Sequence, residues 1–149
     1  MLARPVERAA AGGTFEAVSF RLADERFAVE SRFVIEVFPL SALALLPGAT
    51  PPVFGVTAWR GRLLTVLDLR PLLGISSAAL NDLGRVIAIG ETRAAFGFLV
   101  DGVDEIVSLR EAEVRAPPDG VAARRDYVRG VTGDALVVLD GGRLLRLHE

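Results

Sequence analysis

Residues 18–29 read VSFRLADERFAV, and this stretch decides the class of fold. Val18, Phe20 and Leu22 alternate with polar or small residues, a period of two that is typical of a half-buried β-strand. The polar residues at 23–25 then separate this run from a second apolar run. The pattern therefore predicts a β-hairpin.

The same short apolar runs continue along the chain. They predict strands at 34–38, 53–59, 63–67, 85–89, 94–100, 103–109, 127–131 and 135–139. Only two short helical patches are indicated, at 69–73 and 142–147. Many short strands with few helices favour a mostly-β protein built as a barrel or a sandwich.

A weak internal repeat indicates two similar units. Segment 27–37 recurs at a constant offset of 69 residues, and segment 55–73 recurs at an offset that drifts from 75 to 72 residues. The simplest arrangement is one small β unit followed by the other. A unit of about 65 residues buries little apolar surface alone. The two lobes are therefore expected to share an apolar seam.

The composition of the chain excludes most kinds of catalytic chemistry. The chain has no cysteine and no lysine, and its single histidine, His148, stands next to the last residue. Disulfides, thiolates and Schiff-base lysines are therefore excluded. Asp68 and Asp140 follow apolar strands, where aspartate commonly forms a turn or caps a helix. No catalytic residue, metal site or cofactor is predicted, and the chain is not expected to be an enzyme.

Charge and hydropathy set the expected location. The formal net charge is −2, without the basic excess usual in nucleic-acid binders. Residues 37–59 carry no charge, but several prolines and glycines interrupt them, so no direct membrane insertion is expected. We expect a cytoplasmic protein with a flexible tail at 1–14 and a two-lobed domain at 15–149.

Two features allow a functional interpretation beside a structural one. Arg60 lies in Trp59-Arg60-Gly61-Arg62, between two apolar strands, and is either a solvated turn residue or a recognition anchor. Glu36 is the only acid in an apolar run. It is either a gatekeeper on an edge strand or an interface residue, and a regular strand would place it on one face with Val34 and Phe38.

Taken together, the motifs resemble the CheW-like family of chemotaxis coupling proteins from about Phe15 to Leu147. The resemblance rests on short motifs in the right order and near the right spacing. These motifs lie at 20–29, 34–37, 46–47, 53–56, 60–61, 67–70, 73–74, 97–106, 127–131 and 136–140. Ala58-Trp59 stands where the family often has Asn-Leu.

The resemblance implies both a fold and a role. The fold would be two small five-stranded SH3-like β-barrel lobes that share a hydrophobic core, with short helices. The role would be a non-enzymatic adaptor that couples the cytoplasmic tips of methyl-accepting chemoreceptors to the regulatory domain of a CheA-type histidine kinase, with recruitment to receptor arrays. The alternative is a stand-alone competitor, or a regulatory module of a non-flagellar chemosensory pathway.

The resemblance also implies a set of partner-binding residues. It ties several positions in the first half of the chain to partner docking. It implicates further positions in the second half in the same way. Trp59 is added because it enlarges the apolar surface beside Arg60. The full set is Val34, Glu36, Gly55, Trp59, Arg60, Val103, Ile106 and Gly130. A β-barrel enzyme and a nucleic-acid-binding barrel are the competing classes, and the residues that either would need are missing.

Overall fold

The structure is a computed structural model that describes residues 13–75, 84–117 and 126–148. Within these ranges the chain forms ten β-strands and one short α-helix. The strands are β1 (Thr14–Leu22), β2 (Glu25–Glu30), β3 (Val34–Pro39), β4 (Val53–Trp59), β5 (Arg62–Leu67), β6 (Arg85–Gly90), β7 (Ala94–Val100), β8 (Gly102–Arg110), β9 (Val128–Val131) and β10 (Val137–Leu139), and the helix is α1 (Gly141–Leu145). The mostly-β class is confirmed.

The predicted hairpin is present, but its first strand is buried on both faces. β1 pairs antiparallel with β2 around a turn in which Ala23 and Asp24 both have positive φ. Ala17 and Ser19, on the face expected to be exposed, have almost no accessible surface. Ser19 donates a hydrogen bond from Oγ to the carbonyl of Glu105 in β8, which covers this strand. The half-buried prediction is therefore wrong.

The strands form two five-stranded sheets. One has the order β3-β6-β7-β5-β4 and uses consecutive strands, so we call it the continuous lobe. The other has the order β8-β1-β2-β10-β9 and combines strands from both ends of the fold, so we call it the split lobe. The continuous lobe is therefore inserted between the second and third strands of the split lobe.

The internal repeat appears in the topology, but the expected serial arrangement is wrong. Strands β1–β5 correspond in order to β6–β10, and the two sheet orders become identical under that exchange. Each repeat is divided between the lobes, because β3 pairs with β6 of the other repeat instead of returning to β2. Apolar periodicity shows which side chains are buried, and it does not identify the strands that pair.

Each lobe is a curled sheet whose two end strands meet at one point. In the continuous lobe, Ala44 follows β3 and forms an isolated bridge with Val56 of β4. In the split lobe, Arg115 follows β8 and forms the equivalent bridge with Val131 of β9. The predicted SH3-like lobes are thus closed by a single bridge each, and not by a full ladder between the end strands.

The predicted apolar seam is the largest buried cluster among the described residues. It combines side chains of the split lobe, such as Phe20 and Phe27, with side chains of the continuous lobe, such as Ile87 and Phe98. The rings of Phe20 and Phe98 lie 5.5 Å apart, centroid to centroid, across the seam. Because the sheets also enclose smaller clusters inside each lobe, the central strands bury both faces.

Several element boundaries differ from expectation. The helix predicted at 69–73 is absent, and residues 70–74 form turns instead. Asp68 accepts three hydrogen bonds there from the backbone and guanidinium of Arg70. The last predicted strand is shorter, because Ala135 has a φ of 68° in the preceding turn. Asp140 accepts from the Arg143 N–H and caps α1, as expected.

The expected tail overlaps the first strand. Thr14 begins β1 and pairs with Arg110, and the carbonyl of Gly13 accepts a hydrogen bond from Glu111 at 2.8 Å. The division into a flexible tail and a two-lobed domain stays a prediction. Residues 1–12 lie outside the described part of the chain.

Candidate protein–protein interface

The tip of the β4–β5 hairpin presents Arg60 to solvent. Arg60 and Gly61 have φ values of 51° and 77°, the pair of positive angles that a two-residue type I′ turn requires. Gly61 adopts this geometry without strain, as the sequence indicated. The Arg60 side chain is 68% exposed. It is therefore available to a partner without opening the fold.

Glu36 connects this tip to the opposite edge of the sheet. Its Oε1 atom accepts hydrogen bonds from Arg60 Nε at 2.8 Å and from Trp59 Nε1 at 3.0 Å. Glu36 lies on β3 and Trp59 on β4, which are the two end strands of the continuous lobe. We call Glu36, Trp59 and Arg60 the clasp, because their side chains join the two ends of the curled sheet.

Aromatic packing fixes the position of the clasp. The Trp59 ring stacks on Phe38 with centroids 6.3 Å apart, and the Arg60 guanidinium carbon lies 5.3 Å from the Trp59 ring centroid. Stacked rings and cation–π contacts each restrict side-chain freedom. A partner would therefore meet a preorganised arginine, whose planar fork suits carboxylates and carbonyls.

A bulge in β3 changes the predicted face of Val34. The register shifts between Val34 and Glu36, so Glu36 pairs with Ala88 while Val34 pairs with Ile89. Val34 packs against the shared core, whereas Phe38 packs inside the continuous lobe. The prediction of one common face is therefore wrong for Val34, because a bulge inserts one residue into the alternation.

The clasp lowers the pKa of Glu36. The hydrogen bond from Arg60 is the largest cause, and it outweighs the opposing effect of desolvation; the Trp59 hydrogen bond and the charge of Arg60 act in the same direction. A lowered pKa in the folded state means that the clasp stabilises the protein above the ordinary glutamate pKa. This contribution is lost as the pH falls through the lowered value.

Trp59 provides a direct measurement of this titration, because it is the only tryptophan. We expect its fluorescence to change with a midpoint below the ordinary glutamate range, as Glu36 is protonated and the acceptor of the indole N–H loses its charge. In Glu36→Gln this transition should disappear while the folded far-UV spectrum is retained. An unchanged acid transition in Glu36→Gln would contradict the assignment.

The apolar members of the predicted set lie on the end strands β3 and β8. Val34 and Val103 occupy equivalent positions in the repeat and both pack, partly buried, against the shared core. Ile106 is 63% exposed and lies opposite Val18 of β1. The structure thus brings Val34 and Val103 to one core, while Ile106 offers an isolated apolar surface on β8.

Gly55 and Gly130 are buried, and their structural role is the same in both lobes. A Cβ at Gly55 would lie 2.5 Å from the carbonyl oxygen of Ala44, and a Cβ at Gly130 would lie 2.5 Å from that of Arg115. Both carbonyls belong to the residues that form the closing bridges. The two glycines therefore allow the end strands to approach, and their predicted part in partner binding stays a prediction.

Sequence reasoning did not single out the exposed leucines. Leu63 is 71% exposed on β5, next to the hairpin tip, and pairs with Ala58. Leu45 and Leu46 are exposed in the loop after β3. For Leu45 and Leu46 the signal was the uncharged run at 37–59, which was used above only to judge membrane insertion. Leu63 places apolar area next to the hairpin tip.

Across 13–75, 84–117 and 126–148, no group of three or more His, Cys, Asp or Glu side chains could hold a metal ion. In the same ranges, no helix is long and apolar enough to cross a membrane.

Fold and site together define a class of protein. Two lobes fixed by a common core present a preorganised arginine beside an aromatic ring, and the surface also carries exposed leucines. Aromatic and arginine side chains are enriched where proteins bind one another. The chain therefore has the features of a protein-interaction module.

Comparison with known proteins identifies the family. The family model described as CheW-like domain matches residues 16–149. The chain is 30% identical over 121 residues to the chemotaxis protein CheW of Rhizobium meliloti (strain 1021), covering 80% of this chain and 77% of that protein. It is 33% identical over 137 residues to protein FrzA of Myxococcus xanthus, covering 85% and 82%. The chain belongs to the CheW-like family.

A solved structure supports the fold. The crystal structure of the scaffolding protein TtCheW from Thermoanaerobacter tengcongensis matches with a TM-score of 0.74 and 23% sequence identity. The match covers 85% of this chain and 88% of that one. The two-lobed architecture is therefore that of a CheW structure.

Proposed function

We propose that this chain is a non-enzymatic adaptor of a bacterial chemosensory array. It binds the regulatory domain of a CheA-type histidine kinase and the cytoplasmic tip of methyl-accepting chemoreceptors, and so couples the two at the array. Membership in the CheW-like family supports the scaffold role. The observation that carries the proposal is the clasp, which holds the exposed Arg60 between Glu36 and Trp59.

The two lobes support binding to two different partners. Glu105 on β8 is the repeat equivalent of Glu36, but it is exposed, and the turn after β9 carries Asp134 and Ala135 where the continuous lobe has Trp59 and Arg60. In the split lobe, Arg129 instead pairs with Glu111 and lies over Phe15. A related backbone thus presents different side chains on its two lobes, as an adaptor requires.

Arg60→Ala is expected to weaken binding to the cognate kinase regulatory domain by about 1–3 kcal/mol, the range of an interface hot spot. Wild-type binding should be micromolar or tighter, about −8 kcal/mol or more favourable. Calorimetry measures both the binding free energy of the wild type and its change in Arg60→Ala. Arg60→Lys should not restore binding, since an ammonium lacks the planar fork. Receptor-dependent activation of the kinase should fall in parallel.

Arg110 provides a matched control, because its side chain is exposed in the split lobe and, among the described residues, forms an ion pair with the nearby Glu113. Arg110→Ala should bind the kinase domain like the wild type. Equal binding by Arg60→Ala and wild type would refute a contact role for Arg60. A wild-type protein that forms no complex with the kinase domain, by calorimetry and sedimentation, would refute the adaptor function.

A further inference from the structure

An arginine-lined groove lies between the β6–β7 turn and α1. It borders the clasp, because the guanidinium carbon of its Arg62 lies 5.9 Å from the Trp59 ring centroid. Its volume is ≈ 720 Å³. The groove is lined by four arginines and two carboxylates, so its formal charge is +2, whereas the whole chain has a charge of −2. These charged residues are Arg62, Arg93, Arg143, Arg146, Glu91 and Asp140. Positive charge is thus concentrated at one place on an acidic protein.

Two of the arginines are free to meet a ligand. Arg93 and Arg146 have exposed side chains, and the described part of the chain supplies neither with an ion-pair partner. Asp140, in contrast, is occupied by α1, since it accepts from the Arg143 backbone N–H at 3.1 Å and lies 3.7 Å from Arg143 Nε. The carboxylate of Asp140 therefore balances Arg143 and leaves Arg93 and Arg146 available.

The remaining walls suit an extended ligand. Arg62 donates a hydrogen bond to the carbonyl of Ala94 at 3.3 Å, which holds its guanidinium against the β6–β7 turn. Ala94, Ala95 and Leu145 add small apolar surface to the lining. Such a surface accommodates the methylene groups of a side chain whose charged end pairs with an arginine.

We propose that this groove binds an acidic segment of a partner protein through its carboxylates, a function beyond the adaptor contact at the clasp. Guanidinium and carboxylate groups form paired, charge-assisted hydrogen bonds. The arginines would also attract a compact anion such as phosphate, so competition by such an anion is an outcome of the test. An extended peptide can place its carboxylates on Arg93 and Arg146 and turn its backbone N–H groups toward Glu91.

Fluorescence anisotropy with a labelled twelve-residue peptide of alternating glutamate and alanine tests the site. The wild type should bind this peptide, with affinity that falls as salt rises, and should not bind the same peptide with glutamine in place of glutamate. Arg93→Gln with Arg146→Gln should weaken binding by about tenfold, because two charge-assisted contacts are lost. Both side chains are exposed, so the thermal midpoint should be retained.

Arg26→Gln with Arg115→Gln is the matched control, since it removes two exposed arginines from the split lobe. Its affinity for the peptide should stay within about twofold of the wild-type affinity, a smaller change than the loss of one charged contact would cause. In labelled wild-type protein, the Nε–H signals of Arg93 and Arg146 should shift on peptide addition. Three results would each overturn the proposal. The two double variants could lose the same affinity, or the Arg93 and Arg146 signals could stay unshifted. The third is that pyrophosphate displaces the labelled peptide at lower concentrations than unlabelled peptide does.

Discussion

Replacing Phe20 by alanine is expected to destabilise both lobes by about 3–5 kcal/mol, although β1 belongs only to the split lobe. Phe20 is fully buried, stacks on Phe27 and meets Phe98 across the seam. The truncation would leave a cavity in the core that both sheets share. Chemical denaturation followed by Trp59 fluorescence reports on the continuous lobe, and far-UV circular dichroism reports on both.

The two probes should give one coincident transition, shifted by the same amount in Phe20→Ala. Leu63→Ala is the control, since its side chain is 71% exposed and its removal should change the unfolding free energy by no more than about 0.5 kcal/mol. A Trp59 transition that stays at the wild-type midpoint while the dichroism transition moves would show that the lobes unfold independently. That result would contradict a common core.

Alanine in place of Gly55 or Gly130 is expected to lower the free energy of unfolding by about 1–3 kcal/mol, because the new methyl group would clash with a backbone carbonyl. In the continuous lobe, Ala44 and Val56 exchange two backbone hydrogen bonds of 2.9 Å, and relief of the clash separates them. Hydrogen exchange should therefore become faster at the Val56 amide in Gly55→Ala, and at the Val131 amide in Gly130→Ala.

Gly133→Ala supplies the matched control in the split lobe. A Cβ at Gly133 would have no neighbour within 4 Å. This variant should retain the wild-type midpoint and exchange rates. If Gly55→Ala and Gly130→Ala were equally harmless and yet lost partner binding, the glycines would act as contact residues and the closing-strand explanation would be wrong.

The sequence predicted the strands much better than their pairing. Period-two runs located all ten strands within a few residues, because side-chain alternation is a local property of an extended chain. The burial of Ser19 and the length of the last strand were missed. Ser19 is covered by β8, more than eighty residues away along the chain, and no local pattern shows that contact.

The same limit applies to the candidate site. Arg60 and Glu36 were recognised one at a time, from a turn and from an isolated acid. Their hydrogen bond depends on how the sheet curls, which brings β3 next to β4 although no ladder joins them. The positive φ of Arg60 and the bulge beside Glu36 are also tertiary outcomes. Residue propensities favour neither a positive φ at an arginine nor a bulge within a strand.

The insertion of the continuous lobe into the split lobe sets an order of assembly during translation. All five strands of the continuous lobe, β3–β7, are synthesised before β8. The β1–β2 hairpin is synthesised first, yet β1 must wait for β8 and β2 for β10. Until then it exposes the apolar face that carries Phe15 and Ala28, which packs with Leu109 and Val138 of the late strands. Such a surface is one on which chaperones act and nascent chains aggregate.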